Sequence, residues 1–239
     1  MATKKRMKGS KRKQAILRAA RPLFAQNGFH GTSVRDIAKA ADVSEALLYR
    51  HFVSKEAMYD EVLDYAGTVS ATAFDKLQDL EPGAEALVVQ IYFLVRLILF
   101  EVPRLKDQQH WHERLLFRSL LGDAKYARNH FANLRGIMDK RINACFEAAA
   151  RAGEVTVDPA ENRNNMWFVH HLAMALNLCH MSDKPAFEYE VSKDEMAERA
   201  VLFCLRGVGM TESAINQHFR SRKLQAMFRR IYKGENSSQ

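Results

Sequence analysis

Residues 28–55 read GFHGTSVRDIAKAADVSEALLYRHFVSK, and this stretch decides the fold of the N-terminal part of the chain. Thr32 and Ser33 offer an N-cap, and Ser33 with Asp36 three residues on has the form of a capping box. It opens a helix through Val34, Ile37, Ala38 and Ala41. Asp42 breaks that helix. Ser44 caps a second one that turns Leu48 and Phe52 inward and leaves Glu45, Ala46, Leu47, Tyr49 and His51 on its N-terminal and outer sides. Two short helices joined by a tight turn form a helix-turn-helix, whose outward positions meet base edges and phosphates. Ile37, Val43, Leu48 and Phe52 are the apolar positions that any small three-helix core requires. Tyr49 and His51 have no packing reason to be where they are, so contact with nucleic acid accounts for them better. Glu45 suits equally a cytosine amino group or the positive end of its own helix.

Outward from this stretch, Ile16-Leu17-x-x-Ala20-x-x-Leu23-Phe24 forms a first helix leading to Gly28-Phe29. Thr-Ser-Val-x-Asp-Ile-Ala follows at 32–38, Val-Ser-x-x-x-Leu-Tyr-x-His-Phe at 43–52, and Ser54-Lys55-Glu56 opens a fourth helix. This ordered set, over about the first quarter of the chain, resembles the TetR family of bacterial repressors. The resemblance implies that Tyr49 and Lys55 contact phosphate and that Glu45, Leu47 and His51 read the major groove. Thr32, Ser33, Arg35, Ser44 and Ala46 complete the DNA-facing set. Two features depart from the family's pattern: Ala46 stands where many relatives have Gly, and Leu47 where many have Thr. Pro22 lies inside the first helix, where it removes a donor and predicts a kink.

Charge is polarised toward the termini. The 239-residue chain has a formal net charge of +8, yet the span from Met1 to Arg21 holds nine Lys or Arg and no acid. Between Glu56 and Gln217 there are 17 basic and 24 acidic residues, while Phe219 to Lys233 adds six basic residues and no acid. A basic arm ahead of a helix-turn-helix is the electrostatic footprint of phosphate binding, set against a solvated tail as the plainer reading. Three cysteines (Cys145, Cys179, Cys204) show neither disulfide nor metal spacing. The basic start lacks an apolar core, so no export signal is expected. Ala84 to Phe100 is strongly apolar but short for a bilayer and carries Glu85, Gln90 and Arg96, which predicts a buried central helix.

From Lys55 onward the sequence reads as helical throughout, which makes the fold class all-α. A basic arm and helix-turn-helix domain occupy residues 1–57, and a larger helical domain occupies 58–239. In Asp123 to Ala152 the positions Phe131, Leu134, Met138, Ile142, Cys145 and Ala149 share one face, and Gly153 stops the helix. Asp158-Pro159 starts a helix with two apolar stripes: Trp167, His171, Met174, Leu178 and Met181 on one, and Phe168, Leu172, Ala175 and Cys179 on the other. Ser192 and Glu195 cap another, with Met196, Ala200 and Phe203 facing one way and Leu202, Leu205 and Val208 another. Gly207 and Gly209 allow close approach. One face of each suits the protein's own core and the other a second subunit. The family resemblance likewise implies a homodimer through the last two long helices, with recognition helices roughly 34 to 36 Å apart on a palindromic DNA operator.

The resemblance also implies a small-molecule effector in the body, with the helix after Ser54-Lys55-Glu56 transmitting its binding to the heads. Phe93, Trp111, Phe117, Arg118, Trp167, His170, Met174 and Asn177 are the candidate lining, although any one of them taken alone suits core packing. His110, His112, His170, His171 and His180 form no convincing ligand set, so no metal and no cofactor is expected. The expected function is a cytoplasmic repressor, released from its operator by an apolar or amphipathic molecule and without a membrane role. The rivals are an architectural DNA-binding protein without effector, and an enzyme carrying a basic head. For the enzyme there is no phosphate loop, nucleophile elbow, metal motif or close carboxylate set.

Overall fold

The computed structural model describes residues 9–64, 77, 80–101, 111–158, 164–182 and 184–233. The N-terminal arm through residue 8, the tail from Gly234, His110 and Pro159 lie outside them. Among the described residues all regular structure is helical; the nearest approach to a sheet is one isolated antiparallel bridge between Val155 and Met210. In chain order the helices are α1 (Gly9–Gly31), α2 (Val34–Ala40), α3 (Glu45–Tyr49), α4 (residues 55–64) and α5 (Ala84–Arg96), which continues as a π-helical turn over Leu97–Glu101. There follow α6 (Trp111–Leu120), α7 (Lys125–Arg151), α8 (Asn165–Leu178), α9 (Lys193–Gly207), α10 (Glu212–His218) and α11 (Ser221–Lys233).

The chain divides into two compact units. The first comprises Met1–Thr72 and Lys106–Leu134, the second Ala73–Leu105 and Arg135–Gln239. This differs from a division after residue 57, because α6 packs along α1. The Arg21 guanidinium sits 5.6 Å from the centre of the Trp111 ring, and Arg118 donates to the Gln26 carbonyl.

In the first unit, Ile16, Leu17, Ala20 and Phe24 of α1 close a core with Ile37, Ala38, Leu48, Phe52, Met58 and Val62. The backbone passes Pro22 with helical dihedrals, and the break in α1 falls at Gly28 instead, at φ 73°. A proline in mid-helix loses one hydrogen bond, whereas a positive φ redirects the chain. The first turns of α7 bury Tyr126, Ala127, His130 and Leu134, so His130 takes the inward place expected of Phe131, which is half-buried.

In the second unit α5 is buried nearly all round, as its apolar sequence predicts. Gln90 donates to the Cys145 sulfur at 3.3 Å, and Arg96 pairs with Asp194 at 2.6 Å while its guanidinium lies 4.5 Å from the Phe100 ring centre. α7 ends where expected, with Gly153 at φ 72°. Helix α8 buries Met166, Val169, His170, Ala173, Met174 and Asn177, a face lying between the two stripes read from sequence. Phe168, His171, Ala175 and Leu178 are left exposed. On α9, Met196 and Ala200 are buried while Phe203, expected on the same stripe, is 67% exposed. A Cβ on Gly209 would collide with Val157, so the close approach there is to the protein's own preceding loop.

Candidate nucleic-acid interface

The helix-turn-helix is built by local hydrogen bonds. Ser33 Oγ accepts from the Asp36 backbone N–H at 3.1 Å, and the Asp36 carboxylate accepts from the Ser33 N–H at 3.3 Å and its hydroxyl at 2.5 Å. These donors hold the Asp36 carboxyl below its ordinary range, the Ser33 hydroxyl contributing most. Asp42, in the turn, takes φ 52°, a left-handed conformation that Asp tolerates better than most residues. Ser44 then caps α3 by accepting from the Leu47 N–H at 3.1 Å.

Buried Leu48 anchors α3, and Glu45, Ala46, Tyr49 and Arg50 face solvent, with Leu47 and His51 half-buried. Tyr49 is 51% exposed. Arg35, on α2, is exposed as well. Together they form the outer side of the motif. Arg50 belongs to this surface although the sequence reading passed over it.

Two residues of the expected DNA-facing set point inward. Thr32 is buried, and its hydroxyl donates to the carbonyls of Gly28 at 2.8 Å and Leu23 at 3.0 Å, closing the end of α1. Lys55 Nζ donates to the carbonyls of Phe29 at 3.0 Å and Thr32 at 3.1 Å and stands 4.2 Å from the centre of the Phe29 ring. An ammonium has three N–H groups; two carbonyls and an aromatic face take up all three directions. Lys55 therefore ties the turn after α1 to the start of α4. A second cation does similar work: Lys13 pairs with Glu61 at 2.7 Å, joining α1 to α4.

Where α1 ends, α4 begins and α6 turns into α7, a cleft of about 670 Å³ is lined by Phe29, Tyr59, Asp60, Arg118 and Lys125 among others. A Cβ on Gly28 would lie 3.0 Å from Arg118 Nε, and Lys125 pairs with Asp60 at 3.0 Å. Arg118, expected in an effector pocket, is thus part of the bracing of the first unit. Trp111 and Phe117 lie in that unit too, and Phe93, Trp167, His170, Met174 and Asn177 in the second. Phe93 meets Phe228 of α11 edge-on at 5.1 Å, and Trp167 lies 5.9 Å from the His170 ring.

Sequence reasoning missed a buried polar group in the first unit. Burial pushes the Glu113 carboxyl up to about 7, pushes the His130 imidazole down to about 4, and raises the Tyr126 hydroxyl, with Glu113 adding to the last. The His112 and His130 rings are 5.3 Å apart, and His112 and Tyr126 6.2 Å. Among the described residues no group of three His, Cys, Asp or Glu side chains could hold a metal ion, and no helix is long and apolar enough to cross a membrane.

Residues 16–62 match the model of the bacterial regulatory proteins of the tetR family. The match covers the head alone. The chain is 46% identical over 48 residues to the HTH-type transcriptional regulator UidR of Escherichia coli, a match covering 20% of this chain and 24% of that one. It is 50% identical over 54 residues to the HTH-type transcriptional repressor KstR2 of Rhodococcus jostii, covering 23% and 26% respectively. The chain thus spans about a quarter of the length of the curated relatives it matches. Beyond the TetR-type head the likeness is one of fold. The structure of AibR in complex with isovaleryl coenzyme A and operator DNA superposes with a TM-score of 0.60 at 20% identity, over 80% of this chain and 97% of that one.

Proposed function

We propose that the protein is a DNA-binding transcriptional regulator rather than an enzyme, a cytoplasmic homodimeric repressor that leaves a palindromic operator when a small molecule binds its body. The observation that carries this reading is the capped helix-turn-helix whose outer side holds Arg35, Glu45, Ala46, Leu47, Tyr49 and His51, within a segment of TetR type. In this reading Tyr49 contacts phosphate, and Glu45, Leu47 and His51 read bases. Thr32 and Lys55 hold the motif in shape.

Dimerisation is supported by Phe168, Leu178 and Phe203, which leave aromatic and aliphatic surface of α8 and α9 exposed, as a subunit interface requires. An effector is supported by Asn177, whose amide nitrogen is buried without an acceptor on a helix face shared with His170 and Met174. A ligand carbonyl or hydroxyl would supply that acceptor. AibR, which shares the fold, was solved with both a coenzyme A thioester and operator DNA.

The test is selection of bound duplexes from a random library, followed by titration of the selected site. Recovery of a palindrome bound with high affinity supports the reading, and recovery of no preferred sequence rejects it. A thermal-shift screen against acyl and aromatic metabolites separates an effector-controlled regulator from an architectural protein, since only a ligand bound by the native state raises the melting temperature.

A further inference from the structure

The helix α11 carries a charge pattern unlike that of the helices around it. Its sequence holds Arg222, Lys223, Arg229, Arg230 and Lys233 and no acidic residue. Its apolar side is already occupied. Leu224 and Phe228 are buried, and the Phe228 ring meets Phe93 at 5.1 Å and Tyr92 at 6.5 Å, both on α5. The other side turns Arg222, Lys223, Arg229 and Arg230 to solvent.

Three exposed arginines elsewhere in this unit are neutralised nearby: Arg199 by Glu195 at 2.7 Å, Arg206 by Glu212 at 2.5 Å, and Arg151 by Glu147 at 4.0 Å. On α11 Lys223 has such a partner, Glu85 at 2.8 Å. Among the described residues Arg222, Arg229 and Arg230 have no acidic group within pairing distance. Like charges crowded on one helix face oppose the fold slightly and contribute no packing.

We propose that the exposed face of α11 binds the phosphate backbone of duplex DNA without sequence preference, as a second contact surface besides the TetR-type head. This rests on the reading of the protein as DNA-binding. Arg222 and Arg229 are two turns apart on one face, about 10.5 Å along the axis at roughly 1.5 Å per residue. Together with Arg230 they form one cationic cluster, and the arginine fork suits phosphate oxygens better than an ammonium does. A lipid surface fits less well. An interfacial helix must insert its apolar face, and Leu224 and Phe228 are spent on the protein's own core.

The experiment compares the full chain with the variant carrying Arg222→Gln, Arg229→Gln and Arg230→Gln, which keeps Leu224, Phe228 and the Lys223–Glu85 pair. Affinity for a random-sequence duplex and for the selected operator is measured across a range of KCl concentrations. The expected result on the random duplex is weaker binding with a log–log salt slope shallower by about 2 to 3 per subunit, at roughly 0.9 for each phosphate no longer neutralised. The base preference on the operator should be unchanged. The corresponding Arg→Lys triple, which keeps the charge, should restore the slope, and that rescue separates missing phosphate contacts from a damaged fold. An unchanged slope in the Gln variant overturns the proposal while leaving wild-type operator binding, and so the reading of the head, intact. Loss of binding to phosphatidylserine vesicles with duplex binding unaffected overturns it in favour of a membrane. A wild-type protein that binds no duplex at low salt removes both readings at once.

Discussion

Replacing Glu113 by Gln should make stability depend on pH in a way that the shape of the protein alone cannot produce. Glu113 is 7% exposed on α6, and one of its carboxylate oxygens has no hydrogen-bond partner. Burial raises its carboxyl from 4.5 to about 7. A carboxyl whose folded pKa lies above its unfolded value disfavours the fold once it ionises. The neutral acid costs nothing extra at low pH, stability is lost as pH rises from about 4.5 to about 7, and the loss is then constant. With about 1.4 kcal/mol for each pH unit separating the two pKa values, the full loss is about 3 kcal/mol.

A glutamine side chain has nearly the same shape as a glutamate and cannot ionise. The stability of Glu113→Gln minus that of the native protein should therefore grow by about 3 kcal/mol between about pH 4 and about pH 8. The difference is the proper quantity, because His130, pushed down to about 4 by burial, opposes it. That imidazole must stay neutral in the fold, so it removes stability as pH falls from about 6.5 to about 4, opposite in sign to the loss from Glu113. Urea unfolding followed by the fluorescence of Trp111 and Trp167, with equal m-values for both proteins, measures the difference. A difference that stays constant within about 0.5 kcal/mol across this range would refute the reasoning.

Lys55→Met should lower stability by about 2 kcal/mol, from the loss of two charge-assisted hydrogen bonds, and weaken operator binding without changing its salt slope. A slope shallower by about 0.9 per subunit would show instead that Lys55 touches phosphate. Gly28→Ala should cost about 1 to 3 kcal/mol from the positive φ with ψ 179°, and pairing it with Arg118→Ala should remove only the additional steric part. Full recovery in the double mutant would mean the dihedral is not the cause. Phe203→Arg should weaken self-association by about a hundredfold, from about 3 kcal/mol over the two copies of a ring now 67% exposed. Sedimentation equilibrium reads this, and an unaltered dimer would exclude α9 from the interface.

Much of the head was legible because its determinants are local. The Ser33–Asp36 box and the Ser44 cap, like the stop at Gly153 in the second unit, each join residues at most a few positions apart, so near-neighbour geometry dictates them whatever surrounds the chain. The burial of α5 was legible for a related reason: a helix apolar on every side has no face to give to water. The inward turn of Lys55 and Thr32 was not. Lys55 bonds to carbonyls 26 and 23 residues away, Arg118 to one 92 residues away, and a backbone carbonyl is the same group in every residue, so no sequence pattern marks it as a partner.

Helices α7 and α8 show the same limit on a larger scale. Helix α8 is apolar on two stripes, and α7 carries Tyr126 and Ala127 beside its main stripe, so the periodicity of each allows more than one orientation of similar burial. Packing selected the one that buries His130 in place of Phe131, and His170 and Asn177 in place of Phe168 and Leu178. Sequence alone determined where the helices of the head start and that one such helix faces outward. Tertiary packing alone decided which cations stayed free for a partner, because it sets which carbonyls and carboxylates come within their reach.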